Sequence, residues 1–195
     1  MMIQSKDQKA IEFYQEAHRF MELNFANELK WAEDLTYQKH TPEDFLYEYV
    51  WVVLCSGFRV SEARKIFDKW RENISDLSVI KHPLKKKAIK IMLKDYKKCY
   101  DKLLSTKGND AKLAYLRTLS HIGPITQFHL AKNLGMDVIK PDVHLTRLAS
   151  NFYFRTPDDM VQLLQNYFQH SKRVIDSVLW RYCEQTRSYK EATKG

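Results

Sequence analysis

Cysteine is scarce in this chain and scattered. Cys55, Cys99 and Cys183 stand 44 and 84 positions apart, so no close-spaced pair exists to suggest a zinc knuckle or a disulfide framework. Glycine and proline are scarce too, with five of each. Together with few alternating apolar runs, this argues against turn-dense strand folds and for a nearly all-helical chain. No stretch approaches the roughly 20 uninterrupted apolar residues of a membrane span. The opening Met1-Met2-Ile3-Gln4-Ser5-Lys6-Asp7 has no apolar signal core, so a cytoplasmic location and no membrane partner are expected. Internal repeats and low-complexity tracts are absent.

What is present is a basic chain with a real core. The 195 residues are 44% hydrophobic and carry a formal net charge of +8, with a sequence pI near 9.3. That is enough apolar content for one compact domain or two small lobes. The charge favours a polyanion or an anionic surface as partner.

Apolar periodicity divides the chain into helices. Ile11, Tyr14, Ala17, His18 and Met21, then Phe25, Leu29 and Ala32, predict two helices broken near Asn24. His18 reads as a core or boundary residue, because no partner histidine stands three or four positions away. Thr41-Pro42-Glu43-Asp44 is a helix start, and the very apolar run Phe45 to Leu54 should be a central buried helix. A turn at Cys55-Ser56-Gly57-Phe58-Arg59 precedes another helix from Ser61. Nine lysines lie at 81, 85, 86, 87, 90, 94, 97, 98 and 102, above a stripe of Ala88, Met92, Tyr96, Cys99 and Leu103. This predicts one amphipathic helix with a basic outer face, which is either simply solvated or a DNA-facing surface. Thr156-Pro157-Asp158-Asp159 repeats the cap-proline-acid start, and a last helix covers about Lys172 to Arg187. Residues 188–195 read as a frayed tail.

Between Asn109 and Ser150 two helical patterns flank His121-Ile122-Gly123-Pro124. Leu113, Leu116 and Leu119 mark the first; Ile125, Phe128, His129, Leu130 and Leu134 mark the second, which Gly135 stops. Pro124 suits the first helical position, and Gly123 is expected to take a positive backbone angle that valine would resist. Such a hairpin aims amides and a positive dipole end at an anion. The pattern Leu-x-x-Ile-Gly-Pro-x-Thr, followed by Lys-Pro-Asp-Val-His-Leu-x-Arg-Leu, resembles the helix-hairpin-helix (HhH-GPD) DNA glycosylases of base-excision repair. Gly123 matches the hairpin glycine, and Asp142, 19 positions later, matches the catalytic aspartate, trailed by His144 and Arg147.

The resemblance implies an all-α, two-lobed bundle of about ten helices with a catalytic cleft between lobes. Lobe A would comprise about 1–44 plus 142–187 and lobe B about 45–141. It also implies a site layout: Asp142 as the catalytic aspartate; His121, Ile122, Gly123, Pro124, Ile125 and Thr126 on DNA, supported by Lys86, Lys87 and Lys90; and Phe58 or Arg59 filling the gap left by an extruded base, since Gly57 has no side chain to do so. Trp31, Tyr37, Tyr47, Trp51, Phe152 and Tyr153 are the aromatic residues available to sandwich that base. The backbone carbonyls of Arg117, Leu119 and Ile122 match those that hold a sodium or potassium ion in the family. The iron–sulfur cluster of some relatives needs four closely spaced cysteines, which this chain lacks.

Relatives that cut the strand carry a lysine two positions after the hairpin glycine; Ile125 stands there, which implies a monofunctional enzyme unless Lys132 or Lys140 substitutes. The expected activity is removal of a damaged base from double-stranded DNA by a monomer, with alkylated purine the leading substrate. Each element also has a plain structural reading. Asp142 suits a helix N-cap, the turn at Gly57 suits an ordinary loop, and a non-catalytic DNA-binding protein or a base-remodelling enzyme on the same scaffold stays open.

Overall fold

Two Thr-Pro-acid-acid segments show how locally the helix starts are encoded. Thr41 accepts the Asp44 amide through its hydroxyl while the Asp44 carboxylate takes the Thr41 amide, and Thr156 and Asp159 repeat the arrangement. Each box satisfies two amides that the helix leaves without partners, and the proline contributes a fixed backbone angle at no lost hydrogen bond. The computed structural model describes residues 5–34 and 40–186. Among them are ten helices and no strand: α1 (Ser5–Asn24), α2 (Ala26–Asp34), α3 (Pro42–Cys55), α4 (Val60–Glu72), α5 (Pro83–Ser105), α6 (Asn109–Thr118), α7 (Thr126–Asn133), α8 (Val143–Asn151), α9 (Pro157–Phe168) and α10 (Lys172–Thr186). The protein is all-α, and no described helix is long and apolar enough to cross a membrane.

The chain separates into two compact units, one of residues 1–35 and 137–195, the other of residues 36–136. In the first, α1, α2, α8, α9 and α10 enclose a core that includes Tyr14, Met21, Leu148, Leu164 and Ile175. Helix α10 is buried continuously from Arg173 to Leu179 and again at Tyr182 and Cys183. Its Arg173 extends along α2 and donates from Nε to the Ala32 carbonyl at 2.8 Å, so a guanidinium satisfies a helix-end carbonyl that has no partner of its own. Arg181 grips both carboxylate oxygens of Glu28, with Nη2 2.6 Å from Oε2, and this fork ties α10 to α2.

The second unit is wrapped around α3. Phe45, Leu46, Tyr49, Val50, Val52, Val53 and Leu54 are all buried, and α4, α5 and α7 pack against them. Trp70 of α4 is fully buried and donates from its indole to the Ile74 carbonyl at 2.9 Å. Helix α5 lays Ala88, Ile89, Met92, Tyr100 and Leu103 inward. Lys85 corrects the expectation of a uniformly basic outer face: it lies three residues before Ala88, continues the apolar stripe, and is only 2% exposed.

One polar residue of α3 is also drawn inward. Glu48 accepts the Asn133 side-chain amide at 2.8 Å, and burial, with Asp44 adding to it, pushes the carboxyl up to about 7 against the lowering effects of Asn133 and Arg64. In the unfolded chain the same carboxyl ionises near its ordinary 4.5. The folded state therefore holds this proton more tightly, and stability present below the unfolded value is lost as pH rises through the folded one. A Glu48→Gln variant should lose on the order of 3 kcal/mol of that decline between about pH 4 and pH 8. Urea unfolding at both ends of the range measures it, and an unchanged decline would remove Glu48 as its source.

Candidate functional site

The hairpin between α6 and α7 is built from backbone bonds that close on themselves. The Leu119 amide donates to Leu116 and the Ile122 amide to Leu119, both at 3.1 Å. His121 then takes a left-handed conformation with φ 66°. This corrects the expectation for Gly123, which is not among the positive-φ residues; the reversal is absorbed two positions earlier. Gly123 receives the first full helical bond, from the Gln127 amide at 3.0 Å, and its own amide donates to Thr126 Oγ1 at 2.7 Å. Pro124 precedes α7, whose N-cap is Ile125, so the expectation that it occupies the first helical position is corrected.

A side chain at 123 would meet nothing nearer than Thr126 Oγ1 at 3.9 Å. Neither backbone angle nor internal packing demands glycine there. The amides of Ile125 and Thr126 have no acceptor among the described residues, and they stand at the positive end of α7. Behind the turn, Tyr49 of α3 donates its hydroxyl to the Ser120 carbonyl and anchors the hairpin to the core. The carbonyls of Arg117 and Ile122 accept from no described donor, while that of Leu119 takes the Ile122 amide. Arg117 lies in the last turn of α6 and Ile122 in the turn after it; carbonyls without donors are groups that could hold a cation.

Beside the hairpin the structure assembles residues that spacing could not connect. The ring centroids of His121 and His82, the residue that caps α5, lie 6.3 Å apart, and those of His82 and Phe58 lie 6.2 Å apart. Lys85 Nζ sits 3.4 Å from the Phe58 ring centroid and donates to the Leu54 carbonyl at 2.8 Å. Of the two gap-filling candidates, Phe58 is thus backed by a buried cation, a favourable contact with its ring face, and Arg59 is exposed at the start of α4. Lys87 and Lys90 are exposed and Lys86 half-buried on the outer side of α5.

Asp142, in the other unit, is the N-cap of α8. Its Oδ1 accepts the amides of His144 at 2.9 Å and Leu145 at 3.3 Å, and its Oδ2 lies 3.2 Å from Lys140 Nζ. Lys140's amide in turn donates to Asp176 at 3.1 Å, which steadies the segment carrying the ion pair. Burial, and after it the Asp142 carboxylate, push the Cys183 thiol up to about 12, so that sulfur stays protonated. Of the displaced lysines, Lys132 is 8% exposed and Lys140 is held by Asp142.

The aromatic candidates have different surroundings. Phe152 is core, edge-on to Phe13 at 5.4 Å. Tyr153 is 78% exposed and, with Phe154 and Arg155, walls an open depression of about 420 Å³. Trp31 is exposed on α2. Tyr47 and Trp51 pack on Trp70 and Phe67 of α4, under the guanidinium groups of Arg71 and Arg64 at 5.3 and 4.3 Å. Tyr37 lies outside the described residues. Among the described residues no group of three or more His, Cys, Asp or Glu side chains could hold a metal. Sequence reasoning missed His82 and the inward Lys85; the proline after position 82 and the three-residue step to Ala88 were the available signals.

No family model, no curated protein and no solved structure matches the chain.

The cap at α8 separates the roles that Asp142 can play. Asp142→Ala should destabilise the fold by about 1 kcal/mol, within the range for lost N-caps, whereas Asp142→Asn keeps a capping oxygen and should cost only a few tenths. Thermal melts of the two variants check this, and equal losses would mean that the ion pair with Lys140, not the cap, carries the residue's structural role.

Proposed function

We propose that the chain is a monofunctional DNA glycosylase of the helix-hairpin-helix kind, one that extrudes a damaged base, with alkylated purine the leading candidate, and hydrolyses its bond to the sugar. What carries the reading is the hairpin: a glycine that nothing inside the protein requires, beside two amides without acceptors at a helix's positive end. That is the local chemistry of a phosphate contact. Arg117, Leu119 and Ile122 would supply the carbonyls for a monovalent cation there, whose charge would offset that of the phosphate.

In this reading Asp142 acts on the sugar. Loss of the base develops positive charge at the sugar carbon, and a carboxylate held in place stabilises that charge without reorganising. Two backbone amides fix Oδ1, leaving Oδ2 as the working oxygen once Lys140 turns away. Ile125 carries no amine, so no Schiff base forms at the position after the hairpin and the product is an abasic site. Phe58 would enter the stack as the base leaves it.

A second reading, a DNA-binding protein without catalysis, is favoured by one observation: the Asp142 carboxylate is already engaged by a cap and an ion pair. Oligonucleotides each holding one lesion, incubated with the protein and then treated with hot alkali, decide between the two. Asp142→Asn should lower base release by at least about 10²-fold while DNA affinity changes by less than about threefold. No release from any lesion would leave the binding reading, and full activity in the variant would remove Asp142 from the chemistry.

The lysines of α5 make a separate prediction. Log affinity for duplex DNA should fall linearly with log salt, and neutralising Lys86, Lys87 and Lys90 should each reduce the slope by roughly one. Anisotropy titrations across salt concentrations measure it; an unchanged slope in the triple variant returns this face of α5 to solvent.

A further inference from the structure

Helices α7 and α8 end in the same turn but not with the same residue. After α7 the Gly135 amide donates to the Lys132 carbonyl at 2.9 Å and the Met136 amide to that of Ala131 at 3.0 Å, with Gly135 at φ 81°. After α8 the Tyr153 amide donates to Ser150 at 3.0 Å and the Phe154 amide to Ala149 at 2.8 Å, with Tyr153 at φ 60°. Such an ending needs a left-handed residue, a conformation that glycine adopts freely and a side chain with a Cβ resists. Tyrosine is the costlier choice, and packing does not offset it, because Tyr153 is 78% exposed. The other left-handed residues with side chains have partners: the His121 ring meets that of His82, and the Gln169 amide donates to the Asn166 carbonyl at 2.7 Å. The Tyr153 side chain has no hydrogen bond or ring contact among the described residues. An exposed aromatic ring held at a strained position points to use of that ring.

Its surroundings say what would use it. Tyr153 and Arg155 stand on the open depression of about 420 Å³, with Thr146 and Ser150 also lining it, and all four are exposed. Arg155 has no ion-pair or hydrogen-bond partner among the described residues. The two carboxylates nearest to it along the chain are occupied, Asp159 by the Thr156 amide at 3.1 Å and Asp158 by Lys172 at 3.4 Å. A free ring face, an unpaired guanidinium and two hydroxyls, in a depression within the roughly 300–1,000 Å³ of small-ligand sites, match the base, phosphate and sugar of one nucleotide. Helix α8 has nine residues, so this place lies about 14 Å along the helix from Asp142 and is separate from it. Base faces are stacked away inside a duplex, and an unpaired strand presents them. We propose that Tyr153 and Arg155 form a seat for one nucleotide of single-stranded DNA, with the base stacked on the phenol ring and the phosphate paired with the guanidinium. The seat rests on the DNA-binding reading and extends it to an unpaired stretch of the same polymer.

The test measures affinity of the full chain for a fluorescein-labelled oligothymidylate and for a blunt duplex by anisotropy, beside melts followed by circular dichroism. The parent should bind the single strand with an affinity that falls as salt rises. Tyr153→Gly should raise the melting temperature by about 2 to 4 °C, because the left-handed strain is relieved. The same variant should bind the single strand roughly tenfold more weakly, the scale of one lost base–aromatic stack. Tyr153→Phe keeps the ring and should match the parent in both measurements. Arg155→Gln should weaken single-strand binding and lower the slope of log affinity against log salt by roughly 0.7. All three variants should hold the duplex as the parent does. Parental single-strand affinity in Tyr153→Gly, or a melting temperature below the parent's, overturns the seat. So does polyglutamate displacing the labelled strand as well as unlabelled oligothymidylate does, since it carries no base to stack. Duplex binding without single-strand binding overturns the seat and leaves the DNA-binding reading standing, whereas binding to neither overturns both.

Discussion

The unit of residues 36–136 depends on one constraint: α3 is apolar on nearly every side and must be covered on nearly every side. Its seven buried residues, from Phe45 to Leu54, leave no solvent-facing stripe of the usual width, and a helix of that kind is stable only when enclosed by others. Helices α4, α5 and α7 do the enclosing. Much of the local chemistry follows. The end of α3 is buried with its carbonyls, and Lys85 comes inward to satisfy the one at Leu54. Tyr49, on the same helix, reaches the Ser120 carbonyl and so fixes the hairpin turn. Covering a greasy helix thereby brings the start of α5, the turn at Phe58 and the hairpin to one place.

The unit of residues 1–35 and 137–195 is held differently. Its core is aromatic and aliphatic, but its most specific ties are charged: Arg173 on the carbonyl end of α2 and Arg181 on Glu28. Both arginines lie on α10, a helix with nine buried residues, where a fork of donors satisfies acceptors that a point charge would serve less well. Asp142 belongs to the same economy of polar groups. Its carboxylate starts α8 and balances Lys140, so any chemistry it performs draws on a group that the fold has already oriented. A pre-oriented carboxylate is what electrostatic catalysis requires, because no free energy is then spent on turning the group at the moment charge develops.

The +8 charge is distributed in two ways that have different physical meaning. On the outer side of α5, Lys87, Lys90, Lys94, Lys97 and Lys98 are exposed and interact with any polyanion through a screened, salt-sensitive field. Lys85 is shielded from water, and its field is screened much less. The first kind of charge adjusts attraction in general; the second acts on particular neighbours, here Phe58 and His121.

Local rules carried much of the reading. The two Thr-Pro-acid-acid boxes, the break near Asn24, the apolar α3 and the stripe under α5 depend on residues within one or two turns of each other, and periodicity and capping are properties of such short windows. That a turn joins α6 and α7 was legible for the same reason. Its internal geometry was not: the left-handed residue is His121, because the turn closes through the Ile122 to Leu119 bond before Gly123 is reached, and residue type alone favoured the glycine. Lys85 was misread as surface because a lysine in a basic run looks solvated until the carbonyl it serves, 31 residues earlier, is known. The surroundings of Phe58, His82 and His121 depend on three segments packing around one helix. So the sequence by itself determined the all-helical class, the two capping-box helix starts and the turn between α6 and α7, all of which arise from neighbours along the chain. Only the tertiary structure decided which charges are buried, which aromatic rings are core and which histidines meet, because those are consequences of contacts between residues far apart in sequence.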